Sequence, residues 1–505
     1  MVTKSFVIAS SRKIVCSESV TRAGADAFIP NSVKSEPLDA LIRYVVGWVP
    51  ERSQQDADAM MTPRSSPIEL HSSPDVCPPD VEEILAVARE GSAELTFDQA
   101  MRLATASGPA LQALIATADQ LRRETVGDTI TYVVNRNINF TNVCFVGCSF
   151  CGFARGPGAA DAYSHGPDHV VQKAREAWDR GATEVCIQGG LPRDLNGFFY
   201  RDILRAIKRA IPEMHVHAFS PMEITYGVEK TGMPLRDYLQ MLKDEGLGSI
   251  PGTAAEILDD RVRRQLSPNK LPVARWVEII STAHELGIPS TSTMMYGHVE
   301  EPADWVRHIL LLRSIQKRTG GFTEFVPLGF IHEKTRLYQH GGARAGAERD
   351  DHLRVHALSR VLLHGAIKNI QVSWVKLGFE LSLDCLNAGA NDFSGTLMEE
   401  SISKAAGANF GEFVEPAEFR RMIRSIGRTP AERTTSYKIR RTFDASPDAE
   451  PVAEPAAAKS LETKASVATA GASNSPSPFP LLNTGDAHNG QQPHTHHVTH
   501  GESAY

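Results

Sequence analysis

The stretch "TITYVVNRNINFTNVCFVGCSFCGF", residues 129–153, opens as a β-rich run and ends in a loop that contains Cys144, Cys148 and Cys151. The chain has only seven cysteines in 505 residues, so three within eight positions require a chemical explanation. The other four are scattered and predict no paired disulfide framework. Clustered cysteines without such a framework are typical of a reducing compartment, where they bind metal or take part in chemistry.

Beyond residue 129, short β-rich runs alternate with amphipathic helical segments such as "DHVVQKAREAWDRG" and "VARWVEIISTAHELG". This alternation predicts parallel strands, and about eight units predict a (β/α)8 TIM-type barrel of roughly 250 residues. An open doubly wound sheet is the alternative, although no Gly-rich dinucleotide loop follows the first strand. The predicted strand runs are, in order, "TITYVV" to "NINF", "ATEVCIQ", "MHVHAFS", "LGSI", "STSTMMY", "FTEFVPL", "NIQVSWV" and "GANDFSG".

Four segments are expected along the chain. Residues 78–127 form an N-terminal helical segment in which Thr96 and Ser107 are predicted N-caps, and residues 128–441 form the barrel and C-terminal helices. Residues 1–77 are interpreted as a disordered extension, an early start ahead of Met60 or Met61, or a targeting segment. Residues 442–505 are rich in Ala, Ser, Pro and Glu, end in histidines, and predict a disordered low-complexity tail.

The composition excludes some classes of protein. Hydrophobic residues make up 42% and charged residues 22% of the chain, which is typical of a globular protein in water. No apolar run approaches the roughly 18 residues that a membrane span needs. The net charge of −7 gives no electrostatic reason to expect nucleic acid binding. We therefore expect a cytoplasmic protein, or an organellar one if residues 1–60 are a transit peptide.

Polar residues and glycines follow nearly every predicted strand. In a (β/α)8 barrel the chemistry lies at this carboxyl-terminal rim. Each residue has an ordinary alternative role, as a core histidine, a turn glycine or a first-turn helix acid, so only their shared position predicts a site. The residues at the predicted rim are Gln188, Gly189, Gly190, His217, Ser220, Glu223, Thr253, Glu256, Tyr296, His298, Glu300, Glu324, Ser373, Trp374, Lys376, Asn391, Asp392 and Ser394.

The three cysteines have the spacing Cys-x3-Cys-x2-Cys. Structural zinc normally takes four ligands, and no Cys or His lies in the few residues after Cys151, so zinc would need a distant fourth ligand. A cluster of four irons and four sulfides is normally held by four thiolates. Three thiolates would leave one iron open, as catalytic metal sites keep one position open.

This cysteine motif resembles that of the radical S-adenosylmethionine (SAM) superfamily, in which the open iron chelates the amino and carboxylate groups of SAM. The resemblance implies a [4Fe-4S] cluster on Cys144, Cys148 and Cys151. It also implies an adenine-contacting strand motif in "TMMYGHVE", and "GSIPGTAAE" spells the same pattern one strand earlier. The cofactor-binding candidates that follow are Phe150, Gln188, Gly189, Gly190, Ser220, Glu256 and Met295.

A longer string of motifs, including "GATEVCIQGG", "HVHAFSPMEI", "IPGTAAEILDD" and "GANDFSGTLMEE", looks like the FO synthase subunit 2 family. The similarity covers about residues 78–441 and neither extension. It implies transfer of the 4-hydroxybenzyl group of L-tyrosine to 5-amino-6-(D-ribitylamino)uracil in biosynthesis of the deazaflavin FO, the chromophore of coenzyme F-420. Because the chain has one cysteine triplet, it implies a separate ring-closing FO synthase subunit, and an electron donor such as a ferredoxin or flavodoxin.

The catalytic candidates are His217, Tyr296, His298 and Asp392, and the sequence assigns none of them to a particular substrate. Radical SAM enzymes of the futalosine route to menaquinone, namely aminofutalosine synthase and futalosine cyclase, share the barrel motifs and are the nearest alternative. A non-catalytic iron–sulfur protein is a second alternative, and an inactive paralogue that serves as a partner subunit is a third. Cleavage of SAM by the reduced protein would separate these classes.

Overall fold

The structure is a computed structural model and describes residues 76–91 and 94–446. The predictions for the N-terminal extension up to residue 75 and for the tail and its histidines from residue 447 lie outside the described residues. Within the described chain, no helix combines the length and the apolar character that a membrane crossing requires.

Parallel strands close into a barrel with eight strand positions, as the sequence predicts. Each strand position is called a stave below. The first stave is β1 and β2, separated by one residue, and it is followed in space by β3, β4, a short stave at Ser249–Ile250, β5, β6, a short stave at Ile370–Gln371, and β7, which pairs back onto β1. The strands are β1 (Thr129–Val133), β2 (Asn135–Asn139), β3 (Glu184–Gln188), β4 (His215–Ala218), β5 (Ser290–Tyr296), β6 (Phe322–Gly329), β7 (Asp392–Gly395), β8 (Thr429–Arg433) and β9 (Ile439–Thr442).

The strands of the ring are largely buried because helices cover their outer faces and the inner faces are turned toward the barrel interior. All seven residues of β5 are buried although four are Ser or Thr. Their hydroxyls are satisfied by neighbouring staves: Ser292 Oγ donates to the Glu324 carbonyl at 2.7 Å, and Thr293 Oγ1 donates to the Gly252 carbonyl at 2.7 Å. A polar strand can therefore lie in the wall without unpaired hydroxyls.

Amphipathic helices form the outer layer. For example, α5 buries Tyr200, Ile203, Leu204 and Ile207, the 3.6-residue periodicity of one helix face. The helices are α1 (Pro79–Glu90), α2 (Phe97–Ala104), α3 (Gly108–Val126), α4 (Pro167–Asp179), α5 (Phe199–Ala210), α6 (Pro221–Thr231), α7 (Leu235–Asp244), α8 (Asp260–Leu266), α9 (Val273–Glu285), α10 (Pro302–Thr319), α11 (Arg336–Gln339), α12 (Arg349–Leu363), α13 (Trp374–Leu386), α14 (Ser401–Ala406) and α15 (Pro416–Ser425).

Helices α1–α3 lie against the barrel, where α2 packs on α10 and α3 packs on α12. Thr96 caps α2 as predicted, because its hydroxyl accepts from the Gln99 amide at 3.3 Å and the Gln99 side chain bonds back. Ser107 occupies the N-cap position of α3, but its side chain makes no capping hydrogen bond. The two positions share a sequence signature and differ in hydrogen bonding.

A C-terminal hairpin that no sequence pattern predicts completes the barrel at its amino-terminal end, which is called the lower end below. Strand β8 runs parallel to β1 on the side opposite β7, and β9 returns antiparallel to β8. Phe443 follows β9 and stacks on Tyr132 with ring centroids 6.4 Å apart. The hairpin thereby places residues after β8 beneath the interior of the ring.

Candidate active site

The interior of the ring holds a cavity of about 420 Å³ that is lined by residues of seven staves and by Pro251, which follows the Ser249–Ile250 stave. Alternate residues of a strand point to one face, so β3 presents Glu184, Cys186 and Gln188 inward. The cavity begins under the cysteine loop and reaches down to Arg433 and Thr435 of the C-terminal segment. Its volume lies within the range of about 300–1,000 Å³ that is typical of ligand sites.

All three clustered cysteines line the upper end of this cavity, on the loop that leaves β2. Cys148 is buried, and burial raises the pKa of its thiol to about 11, although nearby Lys270 acts in the opposite direction. Within the described residues, no three His, Cys, Asp or Glu side chains converge as ligands of a single metal ion. A four-iron cluster has no such requirement, because each thiolate binds a different iron.

The glycine pair after β3 packs against the cysteine loop with no room for a side chain. A Cβ at Gly190 would lie 2.2 Å from the Val143 carbonyl oxygen and 3.1 Å from Cys144 Cβ. A Cβ at Gly189 would lie 2.4 Å from the Phe140 ring. Because these residues are glycines, the loop after β3 can pack directly against the backbone that carries Cys144.

Glu223 connects this glycine pair to helix α6. Its carboxylate accepts hydrogen bonds from the Gly189 amide at 3.1 Å and from the Ser220 amide and hydroxyl, both at 2.7 Å. Burial raises the pKa of Glu223 to about 7, although these hydrogen bonds oppose the shift. Glu223 is thus a buried carboxyl group that titrates near neutral pH and holds two loops of the rim together.

Glu256 and Lys270 form an ion pair at the other side of the cavity mouth, with 2.5 Å between Oε1 and Nζ. The Lys270 ammonium lies 5.3 Å from the centre of the Phe150 ring. Burial acts to lower the pKa of Lys270, but the Glu256 carboxylate and Cys148 together raise it above its usual value. The Glu256 carbonyl also accepts from the Met295 amide at 2.8 Å, which ties this pair to β5.

Non-glycine residues with left-handed backbone gather at the same rim. Ala254, Glu256, Ser394 and Leu397 have φ between 46° and 74°, and all four line the cavity. Such conformations cost on the order of 1 kcal/mol or more and are typical of functional sites.

The lower end of the cavity is strongly charged. Arg433 makes two hydrogen bonds to Asp392, at 2.5 and 2.9 Å, and lies 3.7 Å from Glu324. Gln371 donates to Glu324 at 2.9 Å, and the Tyr437 hydroxyl also donates to it. Burial raises the pKa of Glu324 to about 7 even though Arg433 acts to lower it.

His217 is the one catalytic candidate that lines the cavity directly. Its Nδ1 lies 2.7 Å from Ser249 Oγ, and the same hydroxyl lies 2.8 Å from His215 Nε2. Burial lowers the pKa of His217 to about 4, so the imidazole is neutral at physiological pH.

The other three catalytic candidates are not among the residues that line the cavity. The Tyr296 hydroxyl is 2.7 Å from His352 Nδ1 on the outer side of β5, and His298 Nε2 is 2.9 Å from the Met295 carbonyl. Asp392 is covered by Arg433. The cofactor candidates do line it, namely Phe150, Gln188, Gly189, Gly190, Ser220, Glu256 and Met295, whereas Glu300, Trp374 and Asn391 of the predicted rim do not.

Several cavity residues were missed by sequence reasoning. Lys270 lies in the loop "SPNK" after α8, and Arg433 lies beyond the last predicted strand. No periodicity points either residue toward the barrel interior. A charged residue in an otherwise unassigned loop was the only available signal, and it is too common to identify a site by itself.

Comparison with known proteins agrees with this geometry. Residues 138–312 match the radical SAM superfamily, and residues 319–446 match the CofH/MqnC C-terminal region. Two solved structures, the hydrogenase maturase HydG from Carboxydothermus hydrogenoformans and methylornithine synthase (PylB), share the fold at 15% and 16% identity, with TM-scores of 0.57 and 0.55. HydG covers 80% of this chain and is itself covered to 87%; for PylB these shares are 69% and 97%.

Sequence relatives are much closer. FO synthase of Mycobacterium leprae is 54% identical over 74% of this chain and 44% of its own length. FO synthase of Streptomyces coelicolor is 52% identical over 71% and 41%. The 5-amino-6-(D-ribitylamino)uracil–L-tyrosine 4-hydroxyphenyl transferase of Methanothermobacter thermautotrophicus is 50% identical over 68% of this chain and 94% of its own length. The chain thus spans less than half the length of the FO synthases that it matches.

The barrel, the cysteine loop and these matches define a radical SAM protein. Members of this superfamily use a [4Fe-4S] cluster and SAM, which are therefore the cofactors of the class. Within it, the chain belongs to the family of the 5-amino-6-(D-ribitylamino)uracil–L-tyrosine 4-hydroxyphenyl transferases, one of which it matches over nearly that protein's whole length.

Proposed function

We propose that the chain transfers the 4-hydroxybenzyl group of L-tyrosine to 5-amino-6-(D-ribitylamino)uracil. The observation that carries this proposal is the meeting of three thiols, the glycine pair and a charged interior in one barrel cavity, within a chain that is 50% identical to a transferase of that name. The product would be an intermediate of FO biosynthesis.

Cys144, Cys148 and Cys151 are the proposed thiolate ligands of the [4Fe-4S] cluster. Their soft sulfur donors suit iron–sulfur chemistry, and the tight packing at Gly190 fixes the backbone that carries Cys144. When bound and reduced, the cluster and SAM would supply radical chemistry for removal of a hydrogen atom from the substrate. The protein's own residues then have to bind, orient and shield the reactants.

Phe150, Glu256, Lys270 and Met295 would form the SAM-facing side of the mouth. The Phe150 ring offers a flat apolar face, and the Lys270 ammonium beside it offers a positive charge for a carboxylate. Because Glu256 fixes Lys270 through the 2.5 Å ion pair, the ammonium is held in position before a ligand binds.

The lower cavity would hold the two substrates. Glu324, Gln371 and Arg433 present acceptors and donors together, and an edge of uracil requires both kinds of partner. The neutral His217 imidazole and the Ser394 hydroxyl add partners for ribityl hydroxyls or for the polar groups of tyrosine. These roles follow from chemistry and position in the cavity.

Water must be excluded from such a reaction, and helix α14 is placed to do so. A Cβ at Gly152, beside the third cysteine, would lie 2.6 Å from the Ala405 carbonyl of α14. Lys376 Nζ also donates to Ser403 Oγ of α14 at 3.1 Å. The helix thus packs against both the cysteine loop and α13 and covers this side of the cavity.

An anaerobic assay tests the proposal. The reconstituted, dithionite-reduced protein is mixed with SAM, L-tyrosine and 5-amino-6-(D-ribitylamino)uracil, and products are followed by mass spectrometry. We expect a tyrosine–uracil adduct and 5′-deoxyadenosine. Deoxyadenosine without adduct would contradict the transferase assignment and favour a futalosine-type substrate, since the C-terminal match covers CofH and MqnC alike.

The cysteine assignment has its own control. Cys144→Ala, Cys148→Ala or Cys151→Ala should abolish bound iron and sulfide and all SAM cleavage. Cys385→Ala serves as the matched variant, because Cys385 is buried in α13 and is not among the cavity residues. Normal cleavage by any of the first three variants would overturn the ligand assignment.

We further propose that the adduct passes to a separate ring-closing FO synthase activity. The support is that this chain matches 94% of a relative named for the transferase step alone and only 44% of the FO synthase of Mycobacterium leprae. Formation of FO only when such an activity is added to the assay would support this step.

A further inference from the structure

We propose that the exposed edge of the cysteine loop is the docking surface for an acidic electron-carrier protein. The surface consists of Gly147 and four surrounding cations, Arg193, Lys230, Arg264 and Arg336, and is called the cationic surface below. The inference rests on the proposed function, because only a reducible cluster behind this loop needs an electron.

Gly147 is the outermost point of the loop, between the first two cluster cysteines. It is exposed, has φ of 72°, and would have no atom within 4 Å of a Cβ. Arg336 donates from Nη2 to the Gly147 carbonyl at 3.2 Å. The backbone that carries the cysteines therefore reaches solvent here, with a guanidinium attached to it.

Arg264 lies in helix α8, whose last residue, Leu266, contacts the cysteine loop. The α8 residue Leu266 accepts hydrogen bonds through its carbonyl from the Ser149 amide at 2.9 Å and the Ser149 hydroxyl at 2.8 Å. Arg264 is exposed two residues before Leu266. An exposed cation is therefore two residues along α8 from the contact with the loop between the second and third cysteines.

Arg193 and Lys230 cover the other side. The Arg193 guanidinium lies 4.7 Å from the centre of the Phe145 ring, immediately after the first cysteine. Lys230 Nζ donates to the Arg193 carbonyl at 2.7 Å. Both side chains belong to exposed residues, so their charges face solvent next to the loop.

None of the four cations forms an ion pair with another described residue. Three exposed carboxylates, Asp194, Glu229 and Glu333, lie near them in sequence, as does a further exposed cation, Lys334. The area therefore keeps an excess of positive charge although the whole chain carries −7. Unpaired cations concentrated at one place on an acidic chain favour an acidic partner.

The chemistry selects an electron carrier among acidic partners. Each reduction moves one electron from the carrier to the cluster, so the carrier is oxidised by one electron and no proton needs to move. Electron transfer falls steeply with distance, and this edge is where the cysteine-bearing backbone reaches solvent. Encounters of redox proteins are small and transient, so charge complementarity contributes most of their association rate.

A binding experiment tests the surface without turnover. Oxidised flavodoxin, a small acidic flavoprotein, is titrated into the reconstituted full chain by calorimetry at low and high ionic strength. Arg193→Glu/Arg264→Glu should weaken binding by about tenfold or more at low salt. The matched control is Arg209→Glu/Lys368→Glu, which reverses two exposed cations at the amino-terminal end of the barrel, before β4 and the Ile370 stave.

A second readout separates docking from chemistry. Product formation is measured with flavodoxin that NADPH and a flavodoxin reductase keep reduced and, in parallel, with dithionite, which needs no docking surface. The ratio of the two rates should fall about tenfold in the double variant and stay unchanged in the control. Equal binding and an equal ratio in all three proteins would overturn the proposal.

The two proposals fail differently. If the parent forms no adduct with dithionite, the proposed function fails, while salt-sensitive flavodoxin binding that the double variant loses would still support the surface. If adduct forms with dithionite but flavodoxin binds parent and double variant alike, only the docking surface is wrong.

Discussion

The Lys270 ammonium and the Glu256 carboxylate form an ion pair of 2.5 Å whose side chains are only 13% and 11% exposed. Both groups line the cavity beside Phe150, and Glu256 has a left-handed backbone with φ of 46°. Each of these two charges compensates for the loss of solvent around the other. Without its partner, either one would be a buried unpaired charge.

Removal of the Lys270 ammonium should therefore destabilise the folded protein. We expect Lys270→Met to lower the free energy of unfolding by about 3 kcal/mol, because it leaves the Glu256 carboxylate buried without its partner. The double variant Lys270→Met/Glu256→Gln should recover at least half of that loss. Urea denaturation of the four proteins of this double-mutant cycle measures both values.

The same variants separate stability from cofactor binding. SAM binding to the double variant should stay weak although its stability is largely restored, since the positive charge is still missing. Full recovery of SAM affinity in the double variant would show that Lys270 acts only in folding.

Gly190 provides a steric prediction. Gly190→Ala would place a methyl group 2.2 Å from the Val143 carbonyl oxygen, and backbone atoms cannot yield as side-chain ends can. We expect a loss of about 2 kcal/mol or more in stability and a sharp fall in iron bound per chain after reconstitution. Gly156→Ala is the matched control in the same loop region, because its Cβ would meet no atom within 4 Å.

In Gly190→Ala the backbone at Val143 and Cys144 has to shift, so we expect a larger effect on cluster binding than on folding. If Gly190→Ala binds iron and sulfide as the Gly156→Ala control does, the glycine pair does not support the first cysteine.

The barrel itself could be predicted because strand–helix alternation is a periodic signal that survives without any tertiary information. The staves at Ser249–Ile250 and Ile370–Gln371 were located correctly, although each forms only isolated bridges. The hairpin of β8 and β9 was missed because its segment is rich in charged residues and no apolar alternation marks it. Its pairing with β1 is a contact across 300 residues that no local pattern encodes.

The sequence predicts which end of the barrel carries the cavity, but it predicts less well which side chains point into it. Strand β5 points Thr291, Thr293 and Met295 into the cavity, so Tyr296 must point outward toward the helices. The two-residue period of the strand thus places Tyr296 on the face opposite the cavity-lining residues of β5. Lys270 could not be found this way, because a loop residue has no period.

Glu223 predicts a pH dependence of stability. A carboxyl group whose folded pKa is raised from its usual value to about 7 stabilises the fold below that usual value, and the contribution is lost as pH rises through about 7. Between about pH 6 and about pH 8 the loss is about 1.4 kcal/mol. Glu223→Gln cannot titrate, so its stability relative to the parent should rise by about that amount over this interval.

Other titrating groups, such as His217, shift stability equally in both proteins, so the difference isolates Glu223. Urea unfolding of parent and variant at the two pH values gives the result. A difference that does not change with pH would mean that Glu223 is already ionised at pH 6.

The two N-cap positions allow a matched comparison. Thr96→Ala removes an acceptor for the Gln99 amide and should cost about 1 kcal/mol of stability. Ser107→Ala removes a hydroxyl that makes no capping hydrogen bond, so the expected cost is below about 0.5 kcal/mol. Equal costs, measured by thermal or urea unfolding, would contradict the hydrogen-bonding difference between the two caps.

Arg433 and Arg440 lie on adjacent strands of the C-terminal hairpin, and both pair with a carboxylate. Arg433 is 3% exposed and bonded twice to Asp392, which is fully buried, whereas Arg440 is 43% exposed and pairs with Glu432. Arg433→Met leaves Asp392 buried and unpaired and should cost about 3–5 kcal/mol. Arg440→Met removes a surface ion pair and should cost under about 1 kcal/mol.

Because Arg433 also faces Glu324 in the cavity, its loss should reduce binding of 5-amino-6-(D-ribitylamino)uracil as well, measured by calorimetry at a temperature where the variant is folded. A variant at Arg433 that is as stable as the Arg440 variant would mean that the hairpin does not hold the lower end of the barrel through this pair.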